Sequence, residues 1–160
     1  MSHDTPLVSG DHVVVLGLGV ASKAVVRALR ARGIDVTAIE DTPTDAARSF
    51  AVEAGIALVE APEPTAIDEL FAGAIAAFIP SPGVPESHPA FAVVQRRSVR
   101  TLSEFDLARF WDSRPIAAIT GTDGKTSVTM LTVDMLVSSG ISAAAVGNTC
   151  LLYTSDAADD

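Results

Sequence analysis

Short apolar runs alternate with longer alanine-rich stretches between residues 11 and 79, and this alternation constrains the fold more than any other feature. The β-branched run "HVVVLG" (12–17) is typical of a buried strand, and "ASKAVVRALRARG" (21–33) has the spacing of a helix that ends at Gly33. The helix face predicted to be buried consists of Ala24, Val25, Ala28 and Leu29. Strands that alternate with helices of this length predict right-handed βαβ units and a parallel sheet covered on both faces. The first part of the chain is therefore predicted to be a Rossmann-like α/β domain.

The same pattern continues beyond the first helix. In order, it predicts the strand "DVTAIE", the helix "TDAARSFAVEAG", the strand "IALVE", the helix "PTAIDELFAG" and the strand "AIAAFI". After a proline-rich loop, helices are predicted at 90–97 and near 103–111, with Glu104 as the cap of the second one.

A second α/β unit is predicted after Arg114 and Pro115, which break the pattern. It consists of the strand "PIAAIT", a glycine-rich loop, a helix from Thr126 to about Ser139 and the strand "ISAAAVG". Two strands and one helix cannot cover a sheet on both faces, so this unit is expected to be incomplete. The predicted divisions are residues 1–112, 113–149 and a tail at 150–160.

Charge and composition exclude several classes of function. The formal net charge of −9 argues against a nucleic-acid-binding protein, because phosphate backbones select basic surfaces. No apolar run approaches the roughly 20 residues of a membrane helix, and the N-terminal "MSHDTPLVSGD" lacks a signal-peptide pattern. The single cysteine, Cys150, cannot form an internal disulfide. These features predict a cytoplasmic protein with no nucleic-acid or membrane partner.

A glycine-rich turn, "GLGVAS" (17–22), lies between the first predicted strand and helix. Glu40 ends the next strand 21 residues after Gly19, which is nearly the dinucleotide fingerprint, in which an acidic residue binds a ribose. Ser22 stands where the third glycine is expected. Three interpretations stay open: a tight structural turn, a site for an anion or nucleotide, and the NAD site of an oxidoreductase.

A second glycine-rich loop, "ITGTDGKTS" (119–127), carries the glycine, lysine and hydroxyl of a phosphate-binding loop. It is shorter than the standard G-x-x-x-x-G-K-[ST], because Ile119 stands where the first glycine belongs. Successive N–H groups at such a turn form a nest for phosphate oxygens, and the helix dipole reinforces it. The predicted phosphate-binding residues are Gly121, Thr122, Asp123, Gly124, Lys125, Thr126 and Ser127. An ordinary turn with a solvated lysine is the alternative.

Within this loop, Lys125 is predicted to reach the β and γ phosphates as a compact charge. The Thr126 hydroxyl is predicted to enter the coordination shell of Mg²⁺, which otherwise keeps waters and phosphate oxygens. Asp123 is expected to point away from the phosphates and to accept hydrogen bonds from N–H groups of the turn, since a carboxylate close to phosphate is repelled.

The short loop, preceded by "AIT", resembles the ATP loop of the Mur ligases and of the related folylpolyglutamate synthases, which are ATP-dependent amide ligases. Three further segments resemble the D-glutamate-adding branch of that family: "GLGVAS", "SPGVPESHP" and "SEFDLA". The family pattern S-P-G-[IV] followed by H-P is matched at Ser81, Pro82, Gly83, Val84, His88 and Pro89. The resemblance extends from about residue 11 to residue 148.

This resemblance implies that the first domain holds the uridine diphosphate of a sugar substrate. By position, the implied substrate-binding residues are Gly19, Val20 and Ala21 at the diphosphate, Asp41 and Thr42 near the uracil, Ser81, Pro82 and Gly83 around the pocket, and Asn148. The family often has a hydroxyl where Ala21 stands and a basic residue where Thr42 stands. His88 is given no catalytic role and is expected to be a surface or capping residue.

The implied reaction adds D-glutamate to UDP-N-acetylmuramoyl-L-alanine with ATP and Mg²⁺, through an acyl phosphate, in cytoplasmic peptidoglycan precursor synthesis. Lys125 and Thr126 are the implied catalytic residues, and a monomer is expected. The family's D-glutamate site and its remaining catalytic groups lie downstream, so the 160-residue chain is expected to be inactive by itself. A stand-alone nucleotide-binding module is a further alternative.

The last segment, "CLLYTSDAADD" (150–160), does not continue the pattern. After Asn148 the family expects isoleucine and glycine, whereas this chain has Thr149 and Cys150. The segment resembles the translation of a sequencing-library transposase adapter and is therefore predicted to be a non-native tail. A genuine disordered acidic tail is the alternative.

Overall fold

The computed structural model of the chain describes residues 5–145. The elements in chain order are β1 (His12–Leu16), α1 (Val20–Ala31), β2 (Asp35–Glu40), α2 (Asp45–Ala54), β3 (Ala57–Glu60), α3 (Pro64–Leu70), β4 (Ala77–Pro80), α4 (Pro89–Arg96), α5 (Glu104–Trp111) and α6 (Lys125–Ser138). None of the helices within this described part is long and apolar enough to cross a membrane.

The four strands form one parallel sheet in the order β3-β2-β1-β4, which confirms the predicted α/β class. The strand β1 lies inside the sheet, where Val14 is the register partner of Thr37 on one side and of Phe78 on the other. The chain builds outward from β1 through β2 to β3 and then returns to place β4 on the opposite side of β1. This reversal creates a topological switch point between β1 and β4.

Helices cover both faces of the sheet, as the continuous apolar strands predict. Val13, Val14 and Val15 of β1 are each 0% exposed, and their side chains alternate between two cores. One core joins Val13 and Val15 to Val25 and Leu29 of α1, Phe50 of α2 and Leu107 of α5. The other joins Val14 and Leu16 to residues of three further elements and one adjoining position. These are Ile67 of α3, Phe71 directly after α3, Phe78 of β4 and Val93 of α4.

Two local predictions are corrected by the helix boundaries. The buried face of α1 consists of Ser22, Val25, Val26 and Leu29, whereas Ala24 and Ala28 are half-buried. These four buried positions follow the i, i+3, i+4, i+7 spacing of one helix face. The cap of α5 is Ser103, not Glu104, and Asp106 completes a capping box with it. Ser103 is the cap because its short side chain accepts a hydrogen bond from the Asp106 N–H at 3.2 Å.

The second predicted unit is represented among the described residues by the helix α6. Neither 115–120 nor 141–145 is a strand, so the prediction of "PIAAIT" is wrong, and that of "ISAAAVG" is wrong for its described part. Residues 146 and 147 lie outside the described residues. A strand exists only when a neighbour accepts and donates its ladder hydrogen bonds, and neither segment pairs with a described strand. No described residue of α6 is buried. The division at residue 112 stays a prediction.

Candidate functional site

The carboxyl ends of β1, β2 and β4 place three loops at one edge of the sheet. In open parallel sheets, ligands bind outside these ends at the switch point, which here lies between β1 and β4. The turn 17–19 follows β1, the turn 41–44 follows β2, and the loop 81–88 follows β4. All substrate-binding residues predicted from the sequence within 5–145 lie in these loops or at the start of α1.

The turn after β1 packs directly against the loop after β4. Gly17 has a φ of +82°, and a Cβ at this position would lie 3.1 Å from the Ser81 Cβ and 3.5 Å from Val84 Cγ2. A Cβ on Gly19 would lie 3.6 Å from the Ser81 Oγ. The Ser81 N–H also donates to the Leu16 carbonyl at 2.8 Å. Gly17 is thus required by both its backbone conformation and the close approach of Ser81.

The helix α1 begins next to this contact. No side chain accepts a hydrogen bond from the N–H groups of its first turn as a cap. Its N-cap is Gly19, and no side-chain hydrogen bond caps it. Val20 is 75% exposed and Ala21 is half-buried. Ser22, at the third-glycine position, is buried, and no hydrogen bond of its side chain is found within residues 5–145. An uncapped N-terminus of a 12-residue helix presents donors and positive potential to an anion.

Glu40 holds the glycine turn in place. One of its carboxylate oxygens accepts from the Leu18 N–H at 2.8 Å, and the other lies 3.4 Å from the Thr42 N–H. In the dinucleotide fingerprint, an acidic residue at this position binds a ribose. Here the carboxylate is engaged by backbone donors, so it acts as a brace between the loops after β1 and β2.

Asp41 and His88 join the loop after β2 to the loop after β4. The His88 Nε2 lies 3.2 Å from Oδ1 and 3.1 Å from Oδ2 of Asp41, and its Nδ1 accepts from the Ala90 N–H at 3.1 Å. His88 is the N-cap of α4, as expected for a capping residue. The bridge to Asp41 is not foreseeable from the sequence, because the two residues are 47 positions apart and meet only through the strand order.

The loop after β4 is built from two successive turns. The Val84 N–H donates to the Ser81 carbonyl, and the His88 N–H donates to the Pro85 carbonyl, both at 3.0 Å. Pro82 and Gly83 are exposed between them. The structure therefore brings Gly19 and Ser81 into proximity and links Asp41 to the same loop, whereas Thr42, Pro82 and Gly83 are exposed. Asn148 lies outside the described residues.

The second glycine-rich loop ends in a left-handed residue that opens α6. Gly124 is the N-cap with a φ of +76°, and nothing lies within 4 Å of a Cβ placed on it. The Lys125 Nζ donates to the carbonyl oxygens of Gly121 and Thr122, at 2.5 Å and 3.0 Å. The lysine side chain is therefore folded back over the loop that precedes α6.

The remaining residues of this loop are exposed. Thr126 and Ser127 lie in the first turn of α6, and no described side chain caps that turn. Within residues 5–145 the Asp123 carboxylate accepts no hydrogen bond, so the expectation that it bonds the turn is wrong. A bond there would require the carboxylate to fold over a turn whose carbonyls already face Lys125.

The donor set of this loop fits a metal held mainly by phosphate. No group of three or more His, Cys, Asp or Glu side chains that could hold a metal exists among residues 5–145. A hydroxyl such as that of Thr126 next to an uncapped helix N-terminus suits Mg²⁺, which keeps waters and phosphate oxygens in its shell. The residues present are therefore compatible with a Mg²⁺–nucleotide and not with an all-protein metal cage.

A cavity of about 400 Å³ lies at the opposite edge of the sheet. It is lined by residues that precede β4 and follow α4, and its two arginines are already engaged. Arg97 pairs with Asp68, and Arg100 donates to the carbonyls of Ala76 and Thr5. Each glycine turn, in contrast, precedes a helix N-terminus that no side chain caps.

Ion pairs on the surface shift the pKa values of two carboxylates. Hydrogen bonds from Arg97 and Arg96 lower the pKa of Asp68 to about 2. A bidentate hydrogen bond with Arg48 lowers the pKa of Glu60 from its ordinary value. These pairs join neighbouring elements, so they are structural contacts.

Comparison with curated proteins finds two relatives that share one name. The chain is 36% identical over 135 residues to a UDP-N-acetylmuramoylalanine–D-glutamate ligase of Thermus thermophilus, covering 84% of the chain and 30% of the relative. It is 33% identical over 138 residues to the Streptococcus mutans protein of that name, covering 85% and 30%. The chain thus spans about 30% of the length of these relatives.

Solved structures share the fold at lower sequence identity. A murein peptide ligase from Psychrobacter arcticus has a TM-score of 0.57 and 19% identity, covering 88% of this chain and 31% of its own. A pseudomurein peptide ligase type C from Methanothermus fervidus has a TM-score of 0.52 and 21% identity, covering 82% and 27%. No family model matches the chain.

Proposed function

Since the chain belongs to the Mur ligase family, over the residues that it shares with the D-glutamate ligases, we propose that its parent protein is an ATP-dependent amide ligase. The proposed reaction joins D-glutamate to UDP-N-acetylmuramoyl-L-alanine in the cytoplasm, as a step of peptidoglycan precursor synthesis. The observation that carries the proposal is the contact of both turn glycines with Ser81 beside the uncapped start of α1.

The uridine diphosphate is proposed to bind at this contact. The N–H groups at Gly19, Val20 and Ala21 offer donors to the diphosphate, and the dipole of α1 favours its charge. The loop residues Ser81, Pro82 and Gly83 close the pocket. Asp41 and Thr42 follow the adjacent strand β2. We propose that they lie near the base.

ATP is proposed to bind at the loop 121–127. Lys125 would leave the carbonyls of Gly121 and Thr122 and place its ammonium on the β and γ phosphates. The left-handed Gly124 lets the chain turn its N–H groups toward those oxygens. Thr126 would hold Mg²⁺ through its hydroxyl, and the metal would neutralise phosphate charge when bound.

The chemistry proposed is phosphoryl transfer followed by acyl transfer. An oxygen of the alanyl carboxylate attacks the γ-phosphorus, the bond to the β-phosphate oxygen breaks, and ADP leaves with that electron pair. The deprotonated amine of D-glutamate then attacks the acyl phosphate, forms the amide and releases inorganic phosphate. Lys125 stabilises the negative charge on the transferring group. Residues 5–145 offer no assigned site for D-glutamate, so we propose that the 160-residue chain does not complete the reaction by itself.

An NAD-dependent oxidoreductase is the less favoured alternative. It needs Glu40 as a ribose ligand, but both oxygens of that carboxylate face backbone N–H groups. A bound ribose would have to displace the brace of the glycine turn. We therefore expect the chain to bind UDP-N-acetylmuramoyl-L-alanine and not NAD in isothermal titration calorimetry, and NAD binding without UDP-sugar binding would overturn the ligase proposal.

The proposed ligase activity is tested on the complete protein that the source gene encodes. The source DNA is sequenced past codon 148 from an independent library, and the complete protein is assayed for ADP release that requires both the UDP-sugar and D-glutamate. Lys125→Ala is expected to lower the rate at least about 100-fold, because a charge that stabilises the transferring group is lost. Lys125→Ala should leave UDP-sugar binding unchanged, and ADP release independent of D-glutamate would contradict the proposed acceptor.

A further inference from the structure

We propose that His88 is a positioning residue, which orients the Asp41 carboxylate to accept the ring N–H of a uracil base and so makes the site prefer uridine over cytidine nucleotides. This inference rests on the proposed function, since it takes the base to lie at Asp41. It goes beyond that function by giving a role in base selection to a histidine that otherwise only caps a helix.

The helix α4 dictates which nitrogen of His88 carries the proton. The Ala90 N–H donates to Nδ1 at 3.1 Å, so this nitrogen must have a free lone pair. A neutral imidazole with an acceptor at Nδ1 carries its proton on Nε2. The Nε2–H therefore points at Asp41, whose two oxygens lie 3.2 Å and 3.1 Å away. One backbone hydrogen bond thus makes His88 a donor toward the carboxylate.

Burial differs sharply between the two partners. The His88 side chain is 10% exposed, whereas that of Asp41 is 53% exposed. The ring is held by its surroundings and by the cap, so the direction of its N–H is fixed. Asp41 has no other described hydrogen-bond partner within residues 5–145, and a half-exposed carboxylate without His88 would be free to rotate. With His88, its outer lone pairs face solvent in one orientation and can accept a ligand N–H.

The strand order puts this pair beside the proposed nucleotide. β2 and β4 lie on either side of β1, so a bond between the loops after β2 and β4 passes the end of β1, where the glycine turn begins α1. Glu40 ties the same turn to β2 immediately before Asp41. A nucleotide with its diphosphate at α1 therefore has its base within reach of the Asp41 carboxylate.

A carboxylate in this place discriminates between pyrimidines by hydrogen-bond polarity. The ring nitrogen between the two carbonyls of uracil carries a proton and donates, whereas the corresponding nitrogen of cytosine presents a lone pair. An oriented carboxylate accepts from the first and is repelled by the second. Hydrogen bonds to charged groups change affinity by about tenfold or more, so a preference of at least that size for UDP over CDP is expected.

The test measures binding of UDP and CDP to the 160-residue chain and to His88→Asn by isothermal titration calorimetry. Asparagine is among the best N-cap residues, so this variant keeps the α4 cap but is too short to hold Asp41. UDP binding is expected to weaken about tenfold and CDP binding to stay the same, so that the preference is lost. Equal weakening of both nucleotides, or of neither, would overturn the positioning role.

A second variant and a spectroscopic signal keep the test decisive if His88→Asn folds poorly. Asp41→Asn changes an exposed loop residue and offers both a donor and an acceptor, so it should bind UDP and CDP alike. In the wild-type chain, ¹⁵N NMR should show a protonated Nε2 on His88, and Asp41→Asn should shift that signal. A proton on Nδ1 would overturn the proposal. If the wild type binds neither UDP nor the UDP-sugar, the proposed function falls and this inference with it; intact binding with an unchanged preference in both variants removes only this inference.

Discussion

The helices α1 and α6 both follow a glycine turn, yet they differ in what covers them. In α1 the side chains of Val25, Val26 and Leu29 are at most 3% exposed. In α6 no residue is buried, and Leu131 and Met135 are 61% and 64% exposed. The same local pattern of turn, small residues and apolar side chains therefore produces a helix in both places. Within residues 5–145, the apolar face of α1 packs against the sheet, whereas no side chain of α6 is buried.

This difference separates the local from the non-local part of the fold. A helix satisfies its own backbone hydrogen bonds within a few residues, so α6 forms without a described partner. A strand needs neighbours, and "PIAAIT" pairs with no described strand. An isolated helix of about 14 residues is marginal in water, so the stability of the described molecule is expected to reside in the sheet and its five helices.

Leucine-to-alanine substitutions in α1 and α6 should differ most in their effect on the free energy of unfolding. Leu29→Ala removes a side chain that is 0% exposed in the α1 core, and it should lower the free energy of unfolding by about 2–5 kcal/mol. Leu131→Ala makes the same chemical change at 61% exposure in α6 and should stay within about 0.5 kcal/mol. Urea unfolding followed by the fluorescence of the single tryptophan, Trp111, measures both.

Comparable losses in the two leucine variants would contradict this contrast. They would mean that the apolar side chains of α6 are covered in solution. Leu131→Gln is a useful control, because it keeps the side-chain length but replaces the apolar end. It should be tolerated if Leu131 faces water.

Alanine substitutions of the two turn glycines should also destabilise the protein more before α1 than before α6, but by a smaller difference in the free energy of unfolding. Gly17 and Gly124 have similar positive φ values, +82° and +76°, so alanine is strained at both. Only Gly17 faces a neighbour, since a Cβ there would lie 3.1 Å from the Ser81 Cβ and nothing lies within 4 Å at Gly124. Gly17→Ala should lower global stability by about 1–3 kcal/mol, whereas Gly124→Ala should leave the sheet unfolding nearly unchanged.

The measurement is again the urea midpoint of Trp111 fluorescence, together with UDP affinity. Gly17→Ala should also weaken UDP binding, since it separates the two loops that form the proposed pocket. Gly55→Ala is the matched control, because Gly55 has a φ of +62° with nothing within 4 Å of a placed Cβ and lies far along the chain from the turn. A loss of UDP affinity in Gly55→Ala equal to that in Gly17→Ala would contradict the local explanation.

Periodicity predicted most of the fold around β1, because each signal there is local. The four strands and five helices follow from β-branched runs and helical spacing, and Gly33 and Gly55 do mark turns with positive φ. The α1 face was misjudged at Ala24 and Ala28, since alanine fits both a core and a half-covered position. The strand predictions in the second unit failed because pairing depends on neighbours that no local pattern specifies.

The parts of the candidate site that require glycine could be predicted from the sequence. The turns at Gly17 and Gly124 could be placed because only glycine suits their backbone, and Lys125 and Thr126 follow from their spacing to the second turn. The roles of Glu40 as a brace and His88 as a bridge were not predictable. Both depend on hydrogen bonds between loops that the strand order brings together.

The smallest expected effect concerns surface ion pairs that join α3 to α4. Arg97 and Arg96, at the end of α4, both bind the Asp68 carboxylate, with an Arg97 Nη2 to Oδ2 distance of 2.6 Å. These hydrogen bonds lower the pKa of Asp68 from 3.8 to about 2. No comparable ion pair involves α6 within residues 5–145, where Asp134 serves as the control.

The sign of the pH effect follows from proton uptake. Because the pKa of Asp68 is lower in the folded state, the unfolded state binds more protons between pH 3.8 and about 2. The contribution of the pair is therefore complete above pH 3.8 and is lost as the pH falls toward about 2. Asp68→Asn does not titrate, so its urea midpoint should lie below that of the wild type at pH 5, and the difference should shrink on acidification. Asp134→Asn should show no such convergence, and a difference for Asp68→Asn that stayed constant with pH would mean that the contact stabilises by packing and not by charge.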